Sequence, residues 1–214
     1  MTTAILERRE EVLAPTVPDR RIVRTQVALR DGLIALIERQ GLDSIAVGDL
    51  CAEANITRGT FYNHFKDKEA LLNALEDEVI SGLDVFQERM ASLKLTELAK
   101  CVALKRPLPL LVELFDYLRS EGAFLHAVLG AGGDAAFVQR LRDSVCTNLV
   151  QSILHERYRN STDPFVGYYV SFYASAYLGV IMRWVETGMN ETSEEMAAIA
   201  QRLLFIKPGE SIKL

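Results

Sequence analysis

The stretch NITRGTFYNHFKDKEALL, residues 55–72, gathers a turn-forming Asn, two Thr, two Phe, a Tyr, a His, an Arg and two Lys. The 214-residue chain around it carries a net charge of -5. That charge is unevenly placed. Residues 20–68 hold eight basic side chains (Arg20, Arg21, Arg24, Arg30, Arg39, Arg58, Lys66, Lys68) against six acids (Asp31, Glu38, Asp43, Asp49, Glu53, Asp67). Placement, not the total, decides whether a surface can meet phosphate.

Upstream of the stretch, Val47, Leu50, Cys51 and Ala54 follow the i, i+3, i+4, i+7 spacing of a two-turn helix. Asn55-Ile56-Thr57 then breaks it: Asn tolerates a left-handed backbone, and Thr57 is a good N-cap for the next helix. That next helix is short, with Phe61 and Phe65 on one face. Further upstream, Ile22, Val23, Val27, Leu29, Leu33, Ile34, Leu36 and Ile37 recur at helical intervals from Asp19 until Gly41 marks a stop.

Two short helices joined by a three-residue break have the spacing of a helix-turn-helix unit. A helix that enters the major groove needs one side buried and the other able to reach base edges and phosphates. The phenylalanines supply the buried side. Gly59 and Asn63 lie roughly opposite them, Thr60 and Lys66 flank them, and Arg58 stands at the helix start. Arg suits guanine and Asn suits adenine, each through a bidentate pair, while Gly59 lets the backbone approach closely. Thr57, Tyr62, His64 and Lys68 suit phosphate contacts, Lys68 also opening a helix whose N-terminus favours anions. The competing reading is an ordinary polar surface helix, and the spacing alone does not exclude it.

The full string SIAVGDLCAEANITRGTFYNHFKDKEALL resembles the DNA-binding domain of the TetR family of bacterial regulators, over roughly residues 20–75. Its specific part is TRGTFYNHFKDKEALL. The resemblance implies that Tyr62 and Lys68 bind backbone phosphates, that Thr60 and His64 contact phosphate or base, and that Arg58, Gly59 and Asn63 face base edges. Three departures stand out. Ala46 replaces a frequent capping Thr, Gly48 removes a side chain that in some relatives reaches the groove, and Asn55 replaces the usual turn Gly.

Downstream the pattern stays helical. Asp67 can cap a helix from Lys68 to about Met90, and Pro107 can open one that runs to Ser120. Residues 130–133 form a glycine-rich break, and Asp134 can start a helix to about Tyr158. Asp163-Pro164 is a strong start for a helix ending near Gly188. Ser193 opens the last helix, with Met196, Ile199, Leu203 and Ile206 on its apolar face. No alternating strand is visible. The expected fold is all-α: a flexible arm (1–18), a three-helix helix-turn-helix domain (19–70) and a C-terminal helical bundle for dimerisation and effector binding (71–214).

Several function classes fit poorly. Cys51, Cys101 and Cys146 are too few and too scattered for a disulfide framework or zinc cluster, so a reducing cytoplasm is expected. His126 and His155 read as ordinary polar or cap residues, with no metal-ligand spacing around them. No paired nucleophile and base, phosphate loop or cofactor motif points to an enzyme. Residues 165–182 lack charge, yet six Tyr or Ser precede any aliphatic run, so a buried soluble helix is expected rather than a membrane span.

That same helix carries two ridges. Gly167, Ser171, Ser175 and Gly179 are spaced by four and permit close helix approach; Phe165, Tyr169, Tyr173, Tyr177 and Ile181 form an aromatic ridge on nearly the opposite side. The small ridge is a candidate homodimer seam. The family resemblance supports it, because relatives dimerise through their last two long helices, which adds Met196, Ile199 and Leu203. The dimer would place two recognition helices about one DNA turn apart on a palindromic double-stranded site. Tyr169, Tyr173 and Tyr177 are either core residues, the favoured reading, or the lining of a pocket for a small apolar or aromatic effector. Trp184 is expected in core or interface.

The segments LGAGGDAAFVQRLRDSV and WVETGMNETSEEMA resemble one C-terminal subgroup of the family, which includes coregulators that respond to a protein partner. The leading expectation is a homodimeric transcriptional repressor controlled by an effector in the bundle. The alternative is a coregulator or activator acting through a protein coregulator.

Overall fold

The computed structural model describes residues 20–93, 95–104, 106–152 and 162–204. They form α1 (Arg20–Gln40), a 3-10 turn (Leu42–Ser44), α2 (Val47–Glu53), α3 (Arg58–Tyr62), α4 (Lys68–Ala91), α5 (Leu95–Ala103), α6 (Pro109–Ser120), α7 (Gly122–Leu129), α8 (Ala135–Ser152), α9 (Pro164–Glu186) and α10 (Ser193–Leu204). Among the described residues there is no strand, and the fold is all-α. The expected arm, Cys146's side chain, His155, Ile206 and the helix beyond Ser152 lie outside what the structure describes.

Helix starts follow local chemistry. The Asp67 carboxylate accepts from the Ala70 N–H at 2.7 Å, and Asp163 accepts from Phe165 N–H at 2.9 Å with Pro164 in the first turn. Thr192 and Glu195 cap α10 reciprocally: Glu195 accepts from the Thr192 N–H at 2.7 Å, and the Thr192 hydroxyl accepts from Glu195 N–H at 3.2 Å. One start differs from expectation. α6 begins at Pro109 rather than Pro107, because a residue before proline is driven extended. Leu108 takes that conformation (φ −67°, ψ 124°), and its N–H donates to Gln201 Oε1 at 2.9 Å, fastening α6 to α10. α5 is not among the expected helices, although Leu95, Leu98, Cys101 and Val102 keep a helical period.

One hydrophobic core runs through the molecule. In the N-terminal head it contains Leu29, Leu33, Leu36, Leu50 and Phe61; in the bundle it contains Leu118, Phe124, Phe137, Leu141 and Trp184. Trp184 is buried, edge-on to Phe115 at 5.4 Å, and its indole N–H donates to the Glu191 carbonyl at 3.1 Å. α4 crosses from head to bundle, burying Leu71, Leu72, Leu75, Val79 and Leu83 along its length while packing on α6 and α8. The expected boundary at residue 70 therefore falls inside a continuous helix.

α1 also bridges the two parts, packing on α2 and on α7. Arg30 pairs with Glu121 and lies 5.5 Å from the Phe124 ring centroid, and Glu38 sits 3.3 Å from His126 Nδ1. The first turns of α1 depart from the expected apolar face: Ile22, Val23 and Val27 are exposed.

α9 corrects one expectation. The helix has the length and apolar composition of a membrane span, and only 17% of its most apolar window is buried. It is thus not the buried helix that its charge-free sequence suggests. Phe165, Tyr168 and Phe172 are exposed together with Gly167, Ser171, Ser175 and Gly179, although Phe165 keeps its place on the aromatic ridge, tilted against Tyr169 at 6.1 Å between ring centroids. On α10, Ile199 and Leu203 are exposed, but Met196 is 3% exposed. Met196 belongs to the core and offers no surface to a partner.

Candidate nucleic-acid interface

The turn between α2 and α3 is a Schellman motif. Asn55 takes the left-handed conformation at φ +52°, the Asn55 N–H donates to Ala52 O at 3.2 Å, and the Ile56 N–H donates to Cys51 O at 2.9 Å. Asn serves here in place of Gly because its short polar side chain tolerates that backbone. α2 starts without a side-chain cap at Ala46; instead the Asp49 carboxylate accepts from the Ala46 N–H at 2.9 Å. Half of a capping box survives the loss of the Thr.

α3 is only five residues long, so its start and its buried side must hold it. Thr57 is the N-cap: its Oγ1 accepts from the Thr60 N–H at 3.1 Å and lies 2.9 Å from Thr60 Oγ1. Two hydroxyls sharing one hydrogen bond leave one hydrogen free for a phosphate oxygen. Phe61 is wholly buried and packs edge-on to Tyr62 at 5.5 Å and tilted to Phe65 at 6.1 Å. The Asn63 N–H still bonds to Gly59 O at 3.1 Å, so Asn63 closes the helix as its C-cap.

The opposite side is open. Thr57, Arg58, Gly59, Tyr62, Asn63 and Lys66 are exposed, while Thr60 and His64 are half-buried. Tyr62 is 57% exposed despite its contact with Phe61, an aromatic held out towards solvent. Among the described residues Lys66 pairs with Asp67 at 3.8 Å, a surface pair too weak to withhold it from phosphate.

Lys68 differs. Its side chain is 15% exposed and its ammonium donates to the Leu42 carbonyl at 2.9 Å. A cation bound to a backbone oxygen and largely covered is an anchor between α4 and the turn after α1. The basic count of the head shrinks further, since Arg39 is held by Glu53 at 2.7 Å and Arg30 by Glu121. Arg20, Arg24 and Arg58 are the head arginines that form no ion pair among the described residues. Periodicity marked these groups as basic; which of them were already occupied depends on neighbours distant in sequence.

The tyrosines of α9 divide. Tyr177 is mostly buried, its hydroxyl donates to the Ala200 carbonyl at 3.3 Å, and burial drives its pKa upward. Tyr169 and Tyr173 lie tilted against each other, 4.6 Å between ring centroids, at the edge of the open face, and partial burial followed by the Tyr173 neighbour raises the Tyr169 pKa. Among the described residues no group of His, Cys, Asp and Glu is arranged to hold a metal ion.

A recognition helix locked by Phe61 and presented by an all-helical bundle defines a helix-turn-helix DNA-binding protein. Residues 29–75 match the family described as bacterial regulatory proteins, tetR family, and residues 105–205 match a transcriptional regulator C-terminal region. Together they cover more than half of the chain, and the protein belongs to the TetR family of transcriptional regulators. The HTH-type transcriptional regulator YxbF of Bacillus subtilis (strain 168) is 41% identical over 58 residues, 27% of this chain and 15% of that protein. The similarity to the curated relatives spans 15%, 25% and 26% of their lengths for YxbF, the A-factor receptor protein of Streptomyces griseus and EthR of Mycobacterium tuberculosis. Two solved structures share the fold. The dihydroxyacetone kinase operon activator DhaS superposes with a TM-score of 0.52 at 19% identity, covering 85% of this chain and 94% of its own. FadR of Bacillus subtilis, in complex with stearoyl-CoA, gives 0.55 at 15% identity, covering 83% and 96%.

Proposed function

We propose that the protein is a cytoplasmic homodimeric repressor that reads a palindromic operator through Arg58, Gly59 and Asn63. Thr57, Thr60, Tyr62, His64 and Lys66 hold the phosphates on either side. The observation that carries this reading is the split of α3: Phe61 is wholly buried while Arg58, Tyr62 and Asn63 are exposed. The exposed face of α9, with Gly167, Ser171, Ser175 and Gly179 beside Phe165, Tyr168 and Phe172, supports the dimer seam, and exposed Ile199 and Leu203 on α10 extend it. An effector in the bundle would shift the spacing of the two heads by binding one arrangement better than the other. FadR's complex with stearoyl-CoA supports a ligand that carries a long apolar chain; Tyr169 and Tyr173 are the candidate contacts, since Tyr177 spends its hydroxyl on Ala200.

A second reading, a coregulator or activator working through a protein partner, is supported by the C-terminal resemblance and by the name of DhaS. Selection of binding sites from random duplex DNA at one stated salt concentration separates the outcomes. An enriched palindrome that disappears with Tyr62→Ala and Asn63→Ala supports the repressor reading. A folded protein that enriches nothing refutes stand-alone DNA reading.

A further inference from the structure

Gly48 lies in the first turn of α2, and Arg58 is the first residue of α3. A side chain at a helix start points back toward the preceding turn, here across the Schellman motif to α2. The Arg58 guanidinium ends against the bare Cα of Gly48: a Cβ at that position would stand 2.9 Å from Nη2, 3.9 Å from Cζ and 4.0 Å from Nε. All three of its nearest neighbours beyond its own stretch of helix belong to that guanidinium. The seat is not an ion pair. Asp49 on α2 accepts the Ala46 N–H, and Arg58 is exposed and forms no ion pair among the described residues.

We propose that Gly48 is a specificity-positioning residue, whose missing side chain lets the Arg58 guanidinium lie over α2 and fixes which base pair it reads. This rests on the DNA-reading function proposed above. A guanidinium pairs bidentately with guanine only when its fork is aimed correctly, so displacing its tip by a few tenths of an ångström changes the base preference before it changes the fold. α2 thereby shapes base readout without contributing a side chain of its own at that position. The clash is with the far end of a flexible side chain, so Gly48→Ala displaces Arg58 at little cost to stability, and Ala is also the better helix former.

The test is operator selection with the full chain, run in parallel on wild type, Gly48→Ala, Arg58→Ala and the double variant at one salt concentration, with thermal melts of each. Gly48→Ala is expected to melt no lower than wild type. Both single variants are expected to relax preference at the same base pair, on the order of tenfold, and the double variant to match Arg58→Ala. A Gly48→Ala profile identical to wild type overturns the proposal. So does a Gly48→Ala effect of equal size with Arg58 already removed. If folded wild type selects no sequence, the DNA-reading function itself fails, an outcome distinct from either of those.

Discussion

The Leu42 N–H donates to the Gly132 carbonyl at 2.8 Å, joining the turn after α1 to the glycine-rich loop between α7 and α8. The Leu42 carbonyl in turn accepts from Lys68, so one residue ties the DNA-reading head to both the bundle and α4. The approach is close: Gly41 has φ +76°, and a Cβ on Gly132 would stand 3.1 Å from Gly41 Cα. Gly132→Ala is expected to force these backbones apart, lowering stability by about 1–3 kcal/mol and speeding hydrogen exchange at the Leu42 amide. Unchanged exchange there would show that the loop does not hold the head.

Glu76 gives the fold a pH dependence. It is 1% exposed, bonds to Arg140 at 2.7 Å through Oε2, and its Oε1 has no partner among the described residues. Burial, and then the Asp134 carboxylate, push its carboxyl up to about 7, against the pull of Arg140; Asp77 adds a smaller push. A raised folded value means that the folded state binds the proton more tightly than the unfolded chain, whose carboxyl titrates near ~4.3. Its stabilising contribution is therefore full below that unfolded value and is lost as pH rises through about 7. Glu76→Gln keeps the shape and removes the titration. The gap between wild-type and variant melting temperatures should move in the variant's favour from pH 5 to pH 8, and a constant gap would contradict this.

Legibility in the sequence divided along physical lines. Signals confined to a few neighbours were readable: the Asp67 and Asp163 caps, the Thr57 cap, the left-handed Asn55 and the burial of Phe61 all depend on residues within a turn. What was missed depends on distant parts of the chain. Lys68 finds the Leu42 carbonyl, Gln201 reaches Leu108, and Met196 turns into the core, none of which periodicity on one helix can reveal. α9 reads as buried because it lacks charge, yet charge-free sequence also suits a face kept for another protein surface.

That open face makes a separate prediction. Among the described residues nothing lies within 4 Å of a Cβ on Gly167 or Gly179, so the packing seen there has no use for the missing side chains. Gly179→Leu should leave the melting curve of the dissociated chain no lower, while shifting sedimentation from dimer toward monomer. Sedimentation unchanged from wild type would place the seam elsewhere.

Because α3 spans five residues, its cap matters more than in a long helix. Thr57→Ala should lower stability by about 1 kcal/mol, and Thr57→Ser, which keeps the oxygen, should restore most of it in denaturant titrations. Equal stability of the two variants would mean that Phe61 packing alone holds α3.

The exposed side of α3 is the surface proposed to read sequence. The most direct test is the affinity of the purified protein for its selected duplex and for a scrambled duplex of the same length and composition, at one stated salt concentration, for wild type and Asn63→Ala. Wild type is expected to prefer the selected duplex by on the order of a thousandfold, and Asn63→Ala to lose much of that preference while keeping its weak, salt-sensitive affinity for the scrambled duplex. Equal wild-type affinity for both duplexes would contradict sequence reading by α3.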